Sequence, residues 1–240
     1  MTHSDARVVV LVHGAWHGAW CWSGVQDALD LMGVPSVAVD LPSVTSGGDL
    51  HADADAVIDD VEAQNGPVIL CGHSYGGCVI TEAGLRNPKV EGLIYVAALM
   101  PDESESANDL VGQDPMPAFT RALRFSRGKV EIDKSAATDV FYSDCDVTVA
   151  GESSSRLRAQ STLSLRQRPK SVAWRDVPSV YLRCVNDRAV SPVLQERLAL
   201  RASQRRDWFI GHCPFLTEPS RLAQLLVELS LEVTWKAAVD

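Results

Sequence analysis

The hydrophobic positions of this chain fall into short runs at regular spacing. Val8–Val12 is an unbroken apolar run, β-branched at every position but Leu11. A run without polar alternation fits a strand covered on both faces, as in a parallel sheet. Three more strands are predicted at α/β spacing. Ser36–Leu41 stops at Pro42, Pro67–Cys71 follows the turn signal Asn65-Gly66, and Val90–Leu99 follows Asn87-Pro88. Between them apolar residues recur with helical period over about Trp22–Met32, Asp49–Gln64 and Tyr75–Arg86. Asp49 is a candidate cap, with Asp53 and Asp55 favourable near the helix's positive end.

The alternation resumes late. Val180–Val185 predicts a strand, and Ser191-Pro192 opens a helix to about Leu200, with Ser at the cap and Pro at the first helical position. Trp208–Ile210 ends a short strand, and Pro219 to about Val233 is the final helix. The pattern predicts an α/β protein with a doubly wound, mainly parallel six-stranded sheet and helices on both faces. Residues 101–174 break it: they are rich in Ser, Asp, Arg and Pro, with weak helical patches. The stretch is too long for a simple connection. It is expected to be an inserted, mostly helical cap over the carboxyl ends of the strands, where α/β ligands bind. The core would then be residues 1–100 and 175–240.

Composition narrows the class further. At 240 residues, 46% apolar and 22% charged, the chain is large enough for a full core. A net charge of −9 argues against a nucleic-acid partner. No apolar run reaches the length of a membrane span or of a secretory leader, so no membrane partner and a cytoplasmic location are expected. A homodimer is compatible with the sequence. Residues 1–100 hold 12 acids against 3 bases, a surplus read as solvated helix faces. The six cysteines show no CxxC pair and read as free thiols, most of them buried.

Gly72-His73-Ser74-Tyr75-Gly76 is a GxSxG sequence with a predicted strand before it and a predicted helix after it. That setting is a nucleophile elbow, whose sharp turn forces strained dihedrals on the serine. A serine hydroxyl needs a base. Asp187 and His212 both follow predicted strands, on the same edge of the sheet as Ser74. His212 would take the Ser74 proton, and Asp187 would hold its tautomer and stabilise the imidazolium. Asp102 and Asp176 are alternative acids. Two backbone N–H groups must face the developing oxyanion: Tyr75, after the nucleophile, and Ala15, in the loop after the first strand. His13 and His17 are four apart in a strand-to-loop segment without an intervening Glu, so they do not share one helical face, and no metal is expected. No cofactor is implied.

Leu11-Val12-His13-Gly14-Ala15-Trp16-His17-Gly18-Ala19-Trp20, Gly72-His73-Ser74-Tyr75-Gly76-Gly77 and Gly211-His212-Cys213-Pro214-Phe215 together resemble the α/β-hydrolase superfamily. More narrowly they are similar to the compact branch of plant methylesterases, salicylate-binding esterases, hydroxynitrile lyases and bacterial pyrethroid-type carboxylesterases. The resemblance covers about residues 7–100 and 177–234. It implies the roles already given to Ser74, Asp187, His212, Ala15 and Tyr75, and an order of Ser, then acid, then His. It also implies a discriminator: the lyases carry Thr after the first-loop His and Lys after the catalytic His. Here those positions are Gly14 and Cys213, as in the esterases. The expected activity is a serine carboxylesterase acting on a small to medium, largely apolar small-molecule ester. A C–C lyase or a non-hydrolytic receptor on the same scaffold is the alternative. Trp16, Met100, Phe119 and Trp174, with Met116 and Phe125, are candidates for the substrate pocket. Residues 150–188 hold eight bases and three acids, which raises the question of an anionic substrate.

Overall fold

The computed structural model describes residues 7–231. Among them nine strands occur in chain order: β1 Val8–Val12, β2 Ser36–Val39, β3 Val68–His73, β4 Val90–Val96, β5 Leu123–Ser126, β6 Lys129–Ile132, β7 Gln160–Ser161, β8 Ser179–Cys184 and β9 Gln204–Trp208. Six of them form one sheet in the order β2-β1-β3-β4-β8-β9, every neighbouring pair parallel. The central strands are the continuous apolar runs: β3 is buried throughout and β1 at all but its first residue. Parallel strands enclosed between helix layers must be apolar on both faces, which is why these runs do not alternate.

The predicted helices form with slightly trimmed ends. Ser23–Leu31, Leu50–Glu62, Gly76–Ala83 and Pro192–Ala199 surround the sheet, with Pro219–Leu231 packing on the first of them. Asp49 and Ser191 cap their helices, accepting from the N–H of Ala52 and Val193. The last predicted strand is displaced: β9 ends at Trp208, and the chain beyond it is tied back where Asn186 N–H donates to the Ile210 carbonyl. The predicted extent of the final helix to about Val233 lies in part outside the described residues. Asp53 departs from the sequence expectation. It is fully buried rather than on a solvated face.

Residues 101–174 form no part of the large sheet. They contain five short helices, Ala107–Gln113, Pro117–Ala122, Lys134–Phe141, Val147–Ser155 and Thr162–Arg166, and also a three-stranded antiparallel sheet, β5-β6-β7. The small sheet was not expected. Its hairpin turns at Arg127-Gly128, both with positive φ, and its strands are only two to four residues long, too short to stand out by alternation. Among the described residues no helix is long and apolar enough to cross a membrane, and the six cysteines are unpaired, Cys145 alone being less than fully buried.

Candidate active site

Ser74 sits at the carboxyl end of β3, between strand and helix, with φ of 51°. A residue with a side chain costs about 1–2 kcal/mol in this left-handed region. The turn is held by Ser74 N–H to the Val96 carbonyl (3.2 Å) and by Leu99 N–H to the Ser74 carbonyl (2.9 Å). Gly76 lets the helix start this close to β1, since a Cβ there would lie 2.5 Å from the Val12 carbonyl oxygen. The strain and the crowding lift Ser74 above the sheet edge, where it is half-buried and lines a cavity.

Asp187 and His212 leave the ends of β8 and β9 on loops bonded to one another. The His212 Nδ1 and Asp187 Oδ2 are 2.7 Å apart, both residues being almost completely buried. Nδ1–H therefore donates to the carboxylate, and Nε2 is the ring nitrogen left free for a substrate-side proton. Asp187 also accepts from the N–H groups of Ala189 (2.7 Å) and Val190 (3.0 Å) and from Gln195 Nε2 (2.8 Å). Four donors on one buried carboxylate hold its position. The alternative acids lie elsewhere. Asp102 pairs with Arg175, and Asp176 is exposed.

Ala15 and Tyr75 flank Ser74 in the cavity wall. The backbone N–H of neither makes a hydrogen bond among the described residues. The next residue in the loop, Trp16, has φ of 65°. It is fastened by three hydrogen bonds to the 101–174 segment: its N–H to Gln160 Oε1 (3.3 Å), its indole Nε1–H to the Val130 carbonyl (2.9 Å), and its carbonyl from Arg158 N–H (2.8 Å).

Three further histidines crowd this region; both ring nitrogens of His13 and His17 are engaged, His73 Nδ1 has no partner, and no group of three or more possible ligands gathers among the described residues. His13 donates to the Gly14 carbonyl and accepts from Leu41 N–H. His17 donates to the Ala15 carbonyl and accepts from the Tyr142 hydroxyl. Burial lowers their pKa values to about 4 and about 3. His73 donates from Nε2 to the His212 carbonyl and packs on the His212 ring at 4.5 Å between centroids. Its pKa is lowered well below the ordinary range, first by burial and then by His212 and His17 nearby. All three are neutral scaffolding that sets the loops.

The cavity has a volume of about 240 Å³ and is walled mainly by apolar side chains. Ser74 opens into it, and most of its remaining wall comes from residues 101–174, including Val111, Phe119, Phe125 and Phe141. Of the pocket candidates, Trp16, Phe119 and Phe125 line it. Met100 does not: the chain turns at Ala97 (φ 45°) after β4, and the Met100 side chain is fully buried in the core. Trp174 does not either. It sits where the chain returns to the sheet, donating Nε1–H to the Pro101 carbonyl with Arg175 and Arg201 over its ring. Met116 packs against the core, outside the cavity wall. Phe141, which also packs against His212 at 5.6 Å, had no signal in the sequence.

None of the eight bases of residues 150–188 lines the cavity. Arg158 pairs with Asp40, Arg168 with Asp109, Arg175 with Asp102 and Glu103, Arg183 with Glu196 and Asp207, and Arg188 with Asp139. Arg156 lies over Trp20.

A parallel six-stranded α/β sheet with a serine elbow after its third strand in chain order, and an Asp-His pair beyond the ends of its last two, defines a hydrolase scaffold. The chain belongs to the alpha/beta hydrolase family, whose model matches residues 9–225. It is 30% identical to an alpha/beta hydrolase of Aspergillus novofumigatus, over 91% of this chain and 94% of that protein. It is 28% identical to norfluorocurarine synthase 2 of a Strychnos species, over 93% and 95%. Among solved structures, a pyrethroid hydrolase from Sphingobium faniae superposes with a TM-score of 0.84 at 22% identity, over 93% of this chain and 97% of that one. A methylesterase from Arabidopsis gives 0.75 at 26% identity, over 93% and 98%.

Proposed function

We propose that the protein is a serine carboxylesterase for uncharged, largely apolar small-molecule esters. The observation that carries the proposal is the buried Asp187–His212 pair at 2.7 Å, on the same strand edge as a strained Ser74 that opens into an apolar cavity. His212 Nε2 takes the Ser74 proton as Oγ attacks the ester carbon. The carbonyl oxygen becomes an alkoxide facing the Ala15 and Tyr75 N–H groups. It collapses as His212 returns the proton to the departing alcohol. Water, deprotonated by the same nitrogen, then releases the acid and restores Ser74. The esterases among the relatives, including the putative chloroplastic methylesterase 14 of Arabidopsis thaliana at 28% identity, support this reaction class. The pairing of the bases with surface acids favours a neutral substrate. Residues 101–174 act as the cap that shapes the pocket.

The lyase alternative has less support. A Cβ at Gly14 would lie 2.8 Å from His73 Nδ1 and 2.9 Å from Ser74 Cβ, so this loop leaves no room for a hydroxyl-bearing side chain. Cys213 is fully buried, and burial holds its thiol neutral, so no cation stands beside His212 at that position. The deciding experiment is hydrolysis of p-nitrophenyl esters by wild type and Ser74→Ala, with cyanide release from mandelonitrile on the same preparations. Ester hydrolysis that disappears in the variant, without cyanide release above background, is expected. Ser74-dependent cyanide release at a comparable rate would move the lyase to first place.

A further inference from the structure

The most buried carboxylate outside the Asp-His pair has no part in the reaction described above. Asp53, in the first turn of helix Leu50–Glu62, is fully buried. Its Oδ2 accepts from the Tyr75 hydroxyl at 2.7 Å, and its Oδ1 accepts from Ser43 N–H at 2.8 Å. The Ser43 hydroxyl accepts from Gln160 Nε2 at 2.8 Å, and Gln160 Oε1 accepts from Trp16 N–H. Gln160 Nε2 also donates to Ser164 Oγ at 2.7 Å, which donates onward to the Ser161 carbonyl. A continuous chain of buried polar groups thus runs from the side chain of Tyr75 to the backbone of Trp16. Its two ends are the residue whose N–H is one oxyanion donor and the residue that follows the other.

Burying a carboxylate without a cationic partner is costly, and burial pushes the Asp53 pKa up to about 6. A carboxylic acid placed only to fill space would be replaced by an apolar residue at a gain in stability. What the charge supplies is a strong acceptor for two donors at fixed positions. Tyr75 follows the strained Ser74, and Trp16 is itself in the left-handed region, so neither backbone would hold its direction without outside restraint.

We propose that Asp53 and Gln160 are positioning residues for the oxyanion hole, Asp53 fixing the Tyr75 N–H through the tyrosine hydroxyl and Gln160 fixing the Ala15 side through Trp16. The inference rests on the serine esterase reading. It also gives residues 101–174 a share in the chemistry, since Gln160 belongs to that segment. Oxyanion donors work only when aimed at the place the charge develops, so loosening them weakens the transition state and leaves ground-state binding nearly untouched.

The test uses Asp53→Asn, Tyr75→Phe and Gln160→Met, with Ser74→Ala as control. Active sites are counted by titration with a fluorophosphonate, so that misfolded protein does not enter kcat. Each of the three is measured for kcat and KM on a p-nitrophenyl ester and for inhibition by an aryl trifluoromethyl ketone, which forms a tetrahedral adduct with the serine. A tenfold to hundredfold fall in kcat is expected, with KM within about threefold and ketone affinity falling in parallel with kcat/KM. Tyr75→Phe removes only the hydroxyl and decides the matter if Asp53→Asn fails to fold. Wild-type kcat in the variants that fold, or a loss that leaves ketone affinity unchanged, overturns the inference while Ser74→Ala remains inactive. Full hydrolysis by Ser74→Ala would overturn the esterase reading and this inference with it.

Discussion

The six-stranded sheet and the 101–174 segment meet across one cavity but are built on different terms. β1, β3, β4 and β8 are buried almost throughout, and every connection between them returns a strand end to the same edge. Ser74, Asp187 and His212 stand on that edge. In the small sheet, β6 alternates between exposed and buried residues, and β5 is largely exposed. The first region spends its burial on a rigid frame and presents reactive groups at strand ends. The second builds a wall: Leu123 and the exposed Phe125 pair with the buried Ile132 and Val130 across the hairpin, and Phe125 and Val130 both line the cavity. Under the proposed esterase reading, reactivity follows the frame and substrate choice follows the wall. Trp16 is where the two regions are tied together.

The strongest way to break this contrast is on the frame. Ser74→Ala and His212→Ala are each expected to lower kcat by roughly 10⁴-fold or more, and the double variant should be little worse than either, because the groups act as one unit. Asp187→Asn should cost about 10³-fold or more through the wrong tautomer at His212. Hydrolysis of p-nitrophenyl acetate measures all of these. A loss under tenfold in His212→Ala would remove the base from its place.

Acid should attack the frame as well. His13, His17 and His73 are neutral when folded, with pKa values lowered by burial, to about 4 for His13 and about 3 for His17. In the unfolded chain they take up protons near 6.5, so from there down to about pH 4 the unfolded state binds more protons than the folded one. Stability falls with pH by about 1.4 kcal/mol per unit for each. Asp53, with its pKa raised to about 6, acts in the opposite direction over the same range, since there the folded state binds its proton more readily. Three against one gives a net loss. Urea midpoints at pH 7.5 and 5 should show it, and a midpoint that rises on acidification would contradict the buried neutral histidines.

On the wall the effects should be smaller and selective. Phe119→Ala and Phe125→Ala should lower kcat/KM for a p-nitrophenyl ester of a long acyl chain by roughly tenfold, while p-nitrophenyl acetate stays within about threefold. Equal losses on both esters would mean that the wall also supports the catalytic geometry. Smallest of all on activity is Trp174→Ala. It should leave ester preference unchanged and cost about 2 kcal/mol of stability from lost packing. A changed preference would return Trp174 to the pocket.

The sequence by itself determined the frame. Continuous apolar runs, the glycines of the elbow and the order of Ser74, Asp187 and His212 are local features, and strand-end positions follow from them because a parallel sheet sends every strand out at one edge. It could not separate Met100 from Phe119, because both are large apolar residues near the same edge and only the turn at Ala97 sends one of them into the core. Nor could it find Gln195 or Gln160, or tell that Asp53, placed at a helix start, is buried against Tyr75 and Ser43. Trp16 and Gln160 are 144 positions apart, and Gln160 and Ser43 are 117 apart. No periodicity links such residues. Tertiary packing alone decided these pairings, by burying polar groups that must then find partners wherever the fold has brought a donor or an acceptor within reach.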